Sequence, residues 1–200
     1  SIGHVAVCHN GNLVNVAQIR RDYEEHGHIF TSTSDTEVIL HMLADRQFAE
    51  KPDPLAAVLR QIHGSYCLLL IYPDRIEAAR DPSGNRPLCL GRRGDAWVVA
   101  SETVAFDIIE ADYEREVEPG EIVTISAHGI SSRRFVEPED VRRAHCIFEH
   151  VYFADPASYV FGANVHLARK EMGRALAREA PADADLVIPV PNCARCAAMG

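Results

Sequence analysis

Residues 9–12 (His-Asn-Gly-Asn) could stabilise an oxyanion, and they follow an apolar run at residues 5–8. A strand that ends in Asn10 and Gly11 can direct a side-chain amide and an unobstructed backbone N–H at one point, which is how enzymes hold a developing oxyanion. The same Asn-Gly pair is also a strong cue for a β-hairpin turn. The spacing alone leaves both interpretations open.

Asp35 lies at the start of a predicted helix, where residues 34–37 (Ser-Asp-Thr-Glu) have the spacing of a capping box. Its carboxylate could complement the helix dipole, which contributes about 0.3–1 kcal/mol. It could also bind the ammonium group of a substrate. Local spacing does not separate these roles.

Two other polar segments follow predicted strands. Residues 81–88 contain two prolines and a glycine, which indicates a rigid turn, although Arg80 before the turn and Arg86 within it could face an anion. Ser101 and Glu102 could contact a ligand or cap a helix, and the spacing favours the cap.

Cys193 and Cys196 form a Cys-x-x-Cys pair at the predicted start of a helix. A helix N-terminus lowers a thiol pKa, so a redox pair is chemically reasonable. A zinc site would need two more ligands, and the sequence has no second Cys-x-x-Cys. The remaining cysteines are scattered through a chain with enough apolar residues for a core, which argues against a disulfide scaffold.

The hydrophobic pattern predicts helices first and strands afterwards. Helices are predicted at residues 13–26, from residue 34, and at residues 54–63. Short strands are predicted at residues 66–72, 76–80, 87–91, 97–101, 114–117, 122–126 and 130–135. This order is typical of packed α and β layers, an α+β fold, and not of a doubly wound sheet.

The pattern changes after a charged connector at residues 137–144. A strand at 147–153, a helix at 164–179 and a strand at 186–190 give β-α-β order, which predicts the first crossover of a parallel sheet. We therefore expect two domains, residues 1–140 and 141–200.

The charge balance excludes some classes of partner. The 200-residue chain has 20 basic and 29 acidic residues, a net charge of -9, so a broad nucleic-acid surface is not expected. No apolar run is long enough to span a membrane and no secretory leader is present, which predicts a cytoplasmic protein. The chain lacks an initiator Met, so we expect a fragment in which Ser1 is a cut point and not an N-terminal nucleophile.

Co-linear motifs lie at residues 6–15, 33–39, 80–88, 100–102, 118–122, 146–153 and 185–191. Together they resemble the glutamine amidophosphoribosyltransferase family, a group of class II glutamine amidotransferases with an N-terminal nucleophile. The first three motifs are shared more loosely with other class II amidotransferases, whereas the last two point to this family.

The resemblance implies an incomplete four-layer α-β-β-α sandwich, followed by the start of an α/β phosphoribosyltransferase domain. It implies hydrolysis of glutamine and transfer of the ammonia to 5-phosphoribosyl 1-diphosphate in de novo purine biosynthesis. It assigns Asn10 and Gly11 to the oxyanion hole and Asp35 to the α-ammonium of glutamine. The full-length protein is expected to be a homo-oligomer.

Other implications concern groups outside this chain. The family's nucleophilic cysteine would precede Ser1, so we expect the 200-residue chain to be inactive alone. Mg²⁺ is expected in the full-length enzyme, although Asn192 and Cys193 replace the oxygen-rich Asp-Ser of the family. Cys146 matches a ligand of a 4Fe-4S cluster in some members. The alternatives are another class II amidotransferase, or a non-catalytic or thiol-redox relative that uses Cys193 and Cys196.

Overall fold

The computed structural model describes residues 3–200, so Ser1, considered above as a nucleophile or cut point, lies outside the described residues. The chain divides into two compact units. The first contains the residues up to Leu88 and Glu116–Ala144, and the second contains Cys89–Arg115 and His145–Gly200.

The first unit has four helices and five strands within the described residues. They are β1 (Ala6–Leu13), α1 (Val16–Glu25), α2 (Thr36–Ala44), α3 (Arg46–Ala49), α4 (Pro54–Leu59), β2 (Gly64–Ile71), β3 (Arg75–Arg80), β7 (Glu121–Ser126) and β8 (Gly129–Arg134). The strands form one sheet in the order β1-β2-β3-β7-β8, and each neighbouring pair is antiparallel. Strand β1 is therefore an edge strand.

One face of this sheet is covered by helices. Apolar side chains of α2 and α4, such as Val38, Ile39 and Leu55, pack with Tyr66 and Leu68 of β2 in a single buried cluster. Burying each large apolar side chain contributes about 1.5–3 kcal/mol. This cluster holds α2, and the loop before it, beside the sheet.

Two local predictions for this unit were wrong. Helix α1 begins at Val16 and not at residue 13, because β1 continues to Leu13. The capping box at residues 34–37 does not form, because Glu37 accepts hydrogen bonds from the N–H groups of Thr31 and Ser32.

The second unit has a three-stranded sheet, a hairpin and three helices among its described residues. They are β4 (Cys89–Arg93), β5 (Ala96–Ala100), α5 (Val104–Ile109), β6 (Asp112–Glu116), β9 (Tyr159–Val160), β10 (Ala163–Asn164), α6 (Val165–Glu179) and α7 (Ala194–Met199). The sheet order is β5-β4-β6, and β9 pairs with β10. The final residue of β6, Glu116, falls in the first unit.

The strand predicted at residues 147–153 was wrong, because Glu149–Phe153 forms a π-helical turn. The guanidinium of Arg169 on α6 donates to the carbonyl oxygens of His150 at 2.6 Å and Ala154 at 2.8 Å. A buried arginine thus binds carbonyl groups that a strand would offer to a neighbouring strand.

The strand predicted at residues 186–190 was also wrong, since this segment has no regular secondary structure. Its apolar side chains at Leu186, Val187, Ile188 and Val190 are exposed, and a strand needs a hydrogen-bonding neighbour to form. The predicted β-α-β crossover is therefore not seen within residues 145–200. The α+β class and the helix α6 are confirmed, whereas the domain boundary near residue 140 stays a prediction.

Candidate functional site

The His-Asn-Gly-Asn segment lies within β1 and is not a turn. The antiparallel register with β2 continues from Ala6, opposite Ile71, to Leu13, opposite Gly64. The hairpin interpretation of this segment was therefore wrong. Because β1 is an edge strand, one row of its backbone groups faces away from the sheet.

The outward row includes the N–H of Gly11. The N–H of Leu13 donates to Oδ2 of Asp35 at 3.1 Å, whereas the N–H of Val14 points the other way and donates to the carbonyl of His63 at 2.8 Å. Backbone N–H groups alternate along a strand, so the N–H of Gly11 points to the same edge as that of Leu13. Asp35 therefore lies along the edge at which this N–H is directed.

Gly11 has no room for a side chain. Its φ is +149°, and a Cβ would lie 2.0 Å from the carbonyl oxygen of Ser65 on β2. Gly64 faces the same restriction, because its Cβ would lie 2.3 Å from the carbonyl oxygen of Asn12. The close approach of β1 and β2 here requires glycine. Because glycine has no side chain, the Gly11 N–H is not shielded by its own residue.

The side chains of β1 alternate between two environments. Leu13 belongs to the buried core, Val7 packs against it, and His9 has only 6% of its side chain exposed. Asn10 and Asn12 are exposed. By the alternation of side chains along a strand, Asn10 and Asn12 lie on the opposite face of β1 from His9 and Leu13.

Asp35 is held by three groups on two elements. Besides the Leu13 N–H, it accepts a hydrogen bond from the hydroxyl of Thr36 at 3.2 Å, and Nδ1 of His9 lies 3.4 Å from its Oδ1. Nδ1 of His9 is also 3.1 Å from Oγ1 of Thr36. Since that hydroxyl donates to Asp35, the network assigns a proton to Nδ1 of His9.

The charge of Asp35 is favoured by these contacts. Burial acts in the opposite direction, but the Leu13 N–H, the neighbouring His9 and the Thr36 hydroxyl hold the pKa of Asp35 below its usual value. The side chain is 28% exposed, so part of the carboxylate is open to a ligand. An ionised, partly open carboxylate suits a cationic group.

Glu37 fixes the loop that carries Asp35. Its carboxylate binds the N–H and hydroxyl groups of both Thr31 and Ser32 at 2.6–2.9 Å. The Ser32 hydroxyl is the largest of these influences, and together they lower the pKa of Glu37 to about 2. Glu37 therefore acts on the position of Asp35 through the loop, a role that the capping-box interpretation missed.

The turn after β3 is self-contained. The Arg80 guanidinium is 1% exposed, and it donates to the carbonyl oxygens of Gly84, Arg86 and Val117 and to Glu116. The suggestion that Arg80 faces an anionic ligand was therefore wrong, because its anionic partner is the Glu116 carboxylate of the protein itself. The contacts show that Arg80 stabilises the turn after β3.

Glu102 does not cap a helix with its side chain. It accepts hydrogen bonds from the N–H of Asp155 at 2.7 Å and from the hydroxyl of Ser158 at 2.8 Å. Thr103, the residue before α5, accepts a hydrogen bond from the N–H of Tyr159 at 2.8 Å. These contacts fasten the loop before β9 to the corner between β5 and α5 within the second unit.

Metal binding finds little support between residues 3 and 200. No group of three His, Cys, Asp or Glu side chains in that range is placed to hold a metal ion. Cys146 is a single, partly exposed thiol, whereas iron–sulfur clusters are held by several thiolates. The described residues by themselves therefore do not fit a cluster, and Cys193 and Cys196 belong to no group of three such side chains among them.

Residues 1–107 match the family model described as glutamine amidotransferase domain. The chain therefore belongs to the glutamine amidotransferase family. Among residues 3–200, no helix is both long enough and apolar enough to cross a bilayer.

Two similar relatives are named amidophosphoribosyltransferase. The protein from Methanothermobacter thermautotrophicus is 44% identical over 201 residues, which cover 99% of this chain and 42% of that protein. The Bacillus subtilis protein is 43% identical over 198 residues, which cover 99% of this chain and 41% of that protein. The chain thus spans about two fifths of the length of these relatives.

Solved structures agree with this relationship. One described as the allosteric regulatory enzyme of purine biosynthesis has a TM-score of 0.91 and 41% identity, and the match covers 98% of this chain and 42% of that one. The glutamine phosphoribosylpyrophosphate amidotransferase from B. subtilis, complexed with ADP and GMP, has a TM-score of 0.90 with the same identity and coverage. The mixed α+β fold is therefore that of the corresponding part of these enzymes.

Proposed function

We propose that this chain is part of an amidophosphoribosyltransferase, which hydrolyses glutamine and transfers the ammonia to 5-phosphoribosyl 1-diphosphate in purine biosynthesis. The observation that carries the proposal is the Asp35 carboxylate, which lies against β1 with contacts to His9 and Leu13 on either side of Asn10 and Gly11. Residues separated by more than 20 positions in the sequence are thus brought to one edge.

Asn10 and Gly11 form the oxyanion hole in this proposal. When a nucleophile attacks the amide carbon of glutamine, the carbonyl electron pair moves to oxygen and creates a negative charge. The Asn10 side-chain amide and the Gly11 N–H donate hydrogen bonds to that oxygen. Neither donor titrates near neutral pH, so their orientation before reaction stabilises the transition state without a proton transfer.

Asp35 binds the α-ammonium of glutamine. Its lowered pKa keeps it ionised at neutral pH, and its partial exposure leaves room for a charge-assisted hydrogen bond. Holding the α-ammonium at Asp35 restricts where the side-chain amide of the same glutamine molecule can lie relative to Asn10 and Gly11. The site thereby distinguishes glutamine from a simple amide, because an amide without the ammonium cannot use Asp35.

The finer architecture is part of the same proposal. Residues 1–140 form the glutaminase domain, an incomplete α-β-β-α sandwich, and residues 141–200 begin the phosphoribosyltransferase domain. The helices on the five-stranded sheet supply one α layer and one β layer, and the three-stranded sheet supplies further β structure. Relatives whose matches extend through residues 141–200 support the second assignment.

The other interpretations are less well supported. The relatives match 99% of the chain and carry the amidophosphoribosyltransferase name, which favours this enzyme over another class II amidotransferase and over a separate thiol-redox protein. The cytoplasmic location and the homo-oligomer stay predictions, and an Arabidopsis thaliana relative is named chloroplastic. Mg²⁺ and an iron–sulfur cluster also stay predictions, and no step above depends on them.

Asn10→Ala in the full-length protein tests the proposal. Loss of one oxyanion donor should lower the glutamine-dependent rate by a factor of about 10² to 10³. The rate with free ammonia should be unchanged, because ammonia bypasses glutamine hydrolysis. The matched control is Asn12→Ala on the same exposed side of β1, for which both rates should stay near wild type. An unchanged glutamine-dependent rate in Asn10→Ala would exclude the oxyanion assignment.

A further inference from the structure

The Cys193–Cys196 pair has the backbone spacing of residues three apart in a helix. Cys193 has φ −62° and ψ −35° and immediately precedes α7, which contains Cys196. Residues three apart in an α-helix have Cα atoms about 5 Å apart and share a face. That separation falls within the Cα–Cα range of disulfides, about 4.4–6.8 Å.

The two thiols differ in exposure. Cys193 is partly exposed and lines a surface depression together with Asp155, Arg169 and Asn192. Cys196 is only 6% exposed. An external reagent can therefore reach the first thiol more easily than the second.

Cys196 is paired with an imidazole. Nδ1 of His166 on α6 lies 3.3 Å from Sγ of Cys196, so the thiol can donate its proton to the ring. Gly173 permits this contact, because a Cβ there would lie 1.9 Å from the carbonyl oxygen of Ala197 on α7. The close packing of α6 and α7 thus places a proton acceptor beside the buried thiol.

We propose that Cys193 and Cys196 form a reversible disulfide by exchange with a low-molecular-weight disulfide such as oxidised glutathione. The Cys193 thiolate, after losing its proton to solvent, attacks one sulfur of the reagent, forms a mixed disulfide and releases one glutathione thiolate. Cys196 gives its proton to His166 and attacks the Cys193 sulfur. The Cys193–Cys196 bond forms, the mixed disulfide breaks and the second glutathione thiolate leaves. The two cysteines are oxidised by two electrons, and the reagent is reduced to two thiols.

This redox site is independent of the glutaminase proposal. It is a modification of one thiol pair, and it uses neither glutamine nor the residues of β1. Either proposal can therefore fail while the other stands.

The test uses the full-length protein incubated with oxidised glutathione, followed by blocking of free thiols and peptide mass analysis. Wild type should yield the peptide with Cys193 and Cys196 two hydrogen atoms lighter and without glutathione. The internal control is Cys8, which is exposed and should carry glutathione or stay free. A persistent mixed disulfide at Cys193, or two free thiols there under conditions that modify Cys8, would overturn the proposal.

Three variants separate the steps. Cys196→Ser should accumulate glutathione on Cys193, and Cys193→Ser should leave Cys196 free. His166→Asn should slow closure of the disulfide by about tenfold near neutral pH, with the difference shrinking at alkaline pH, where solvent deprotonates the thiol. Glutathione on Cys196 in place of Cys193 would contradict the assigned order of attack. The wild-type measurement remains decisive even if a variant fails to fold.

Discussion

Two aspartates on loops beside the same sheet show how burial separates a binding carboxylate from a structural one. Asp81 is fully buried, and its oxygens accept hydrogen bonds from the N–H groups of Tyr66, Ser83 and Asn85 and from the Ser83 hydroxyl. Asp35 is 28% exposed and is held by the Leu13 N–H, the Thr36 hydroxyl and His9. The first carboxylate is occupied by its own loop and strand, whereas the second has capacity for a ligand.

Asp35 and Asp81 have similar surroundings in the sequence. Each stands in a polar segment beside a predicted element, and the sequence alone does not show which carboxylate is open to a ligand. The contacts of the folded chain distinguish them, because an acceptor already surrounded by donors cannot add a ligand without losing a hydrogen bond. The comparison therefore predicts that Asp35 controls activity with glutamine and that Asp81 controls the stability of the fold.

The largest effect is expected for Asp35→Asn in the full-length protein. Removing the charge leaves the substrate ammonium without its partner, so kcat/KM for glutamine should fall by a factor of about 10² to 10³. The ammonia-dependent rate should not change. Steady-state kinetics with each nitrogen source measures both quantities.

Asp74→Asn is the matched control for this charge change, because Asp74 is exposed and pairs with the neighbouring Arg75 on the surface. It should leave both rates near wild type. If Asp35→Asn retained normal glutamine kinetics, the ammonium-binding role of Asp35 would be excluded. Asp35 and Asp81 would then no longer differ as a binding and a structural carboxylate.

A smaller and different effect is expected for Asp81→Asn. An amide places N–H groups against the donors of Tyr66, Ser83 and Asn85, so the free energy of unfolding should fall by about 2–4 kcal/mol. The ratio of glutamine-dependent to ammonia-dependent rates should stay near wild type in the folded fraction. Urea unfolding gives the stability.

Asp74→Asn is again the control. Its free energy of unfolding should change little, because an exposed ion pair such as that of Asp74 with Arg75 contributes about 0–1 kcal/mol. A selective loss of glutamine-dependent activity in Asp81→Asn, without a loss of stability, would reverse the roles that we assign to the two carboxylates.

The smallest effect concerns the pH dependence of Asp35. Its pKa is lowered in the folded state, so its stabilising contacts with Leu13 and Thr36 are fully present above the ordinary value of 3.8. They are lost as the pH falls through the lowered pKa. Urea unfolding of wild type and Asp35→Asn should therefore differ by about 1 kcal/mol near neutral pH.

That difference should narrow only below the ordinary pKa of an aspartate. If the two free energies of unfolding already became equal near neutral pH, the pKa of Asp35 would be raised and not lowered. Asp35 would then be a poor partner for a cation.

Much of the first unit could be predicted because its signals are local. The apolar spacing of residues 38–43 indicates a helix, and the apolar run at residues 66–72, bounded by Gly64 and Pro73, indicates a strand; both were found, as α2 and β2. Predictions for residues 147–153 and 186–190 failed because an apolar run does not show whether a partner strand is available. Arg169, far along the chain, binds the first segment's carbonyl groups.

The sequence by itself determined the family, the α+β class and the identity of Asn10, Gly11 and Asp35 as candidates, since motif order and local periodicity are properties of the chain alone. Only the tertiary structure decided that the motif lies within an edge strand, that His9, Thr36 and Leu13 hold Asp35, and that Arg80 and Asp81 are structural. The physical reason is that hydrogen-bond partners and burial depend on which distant segments meet. Those contacts exist only after the sheet and the helices have packed.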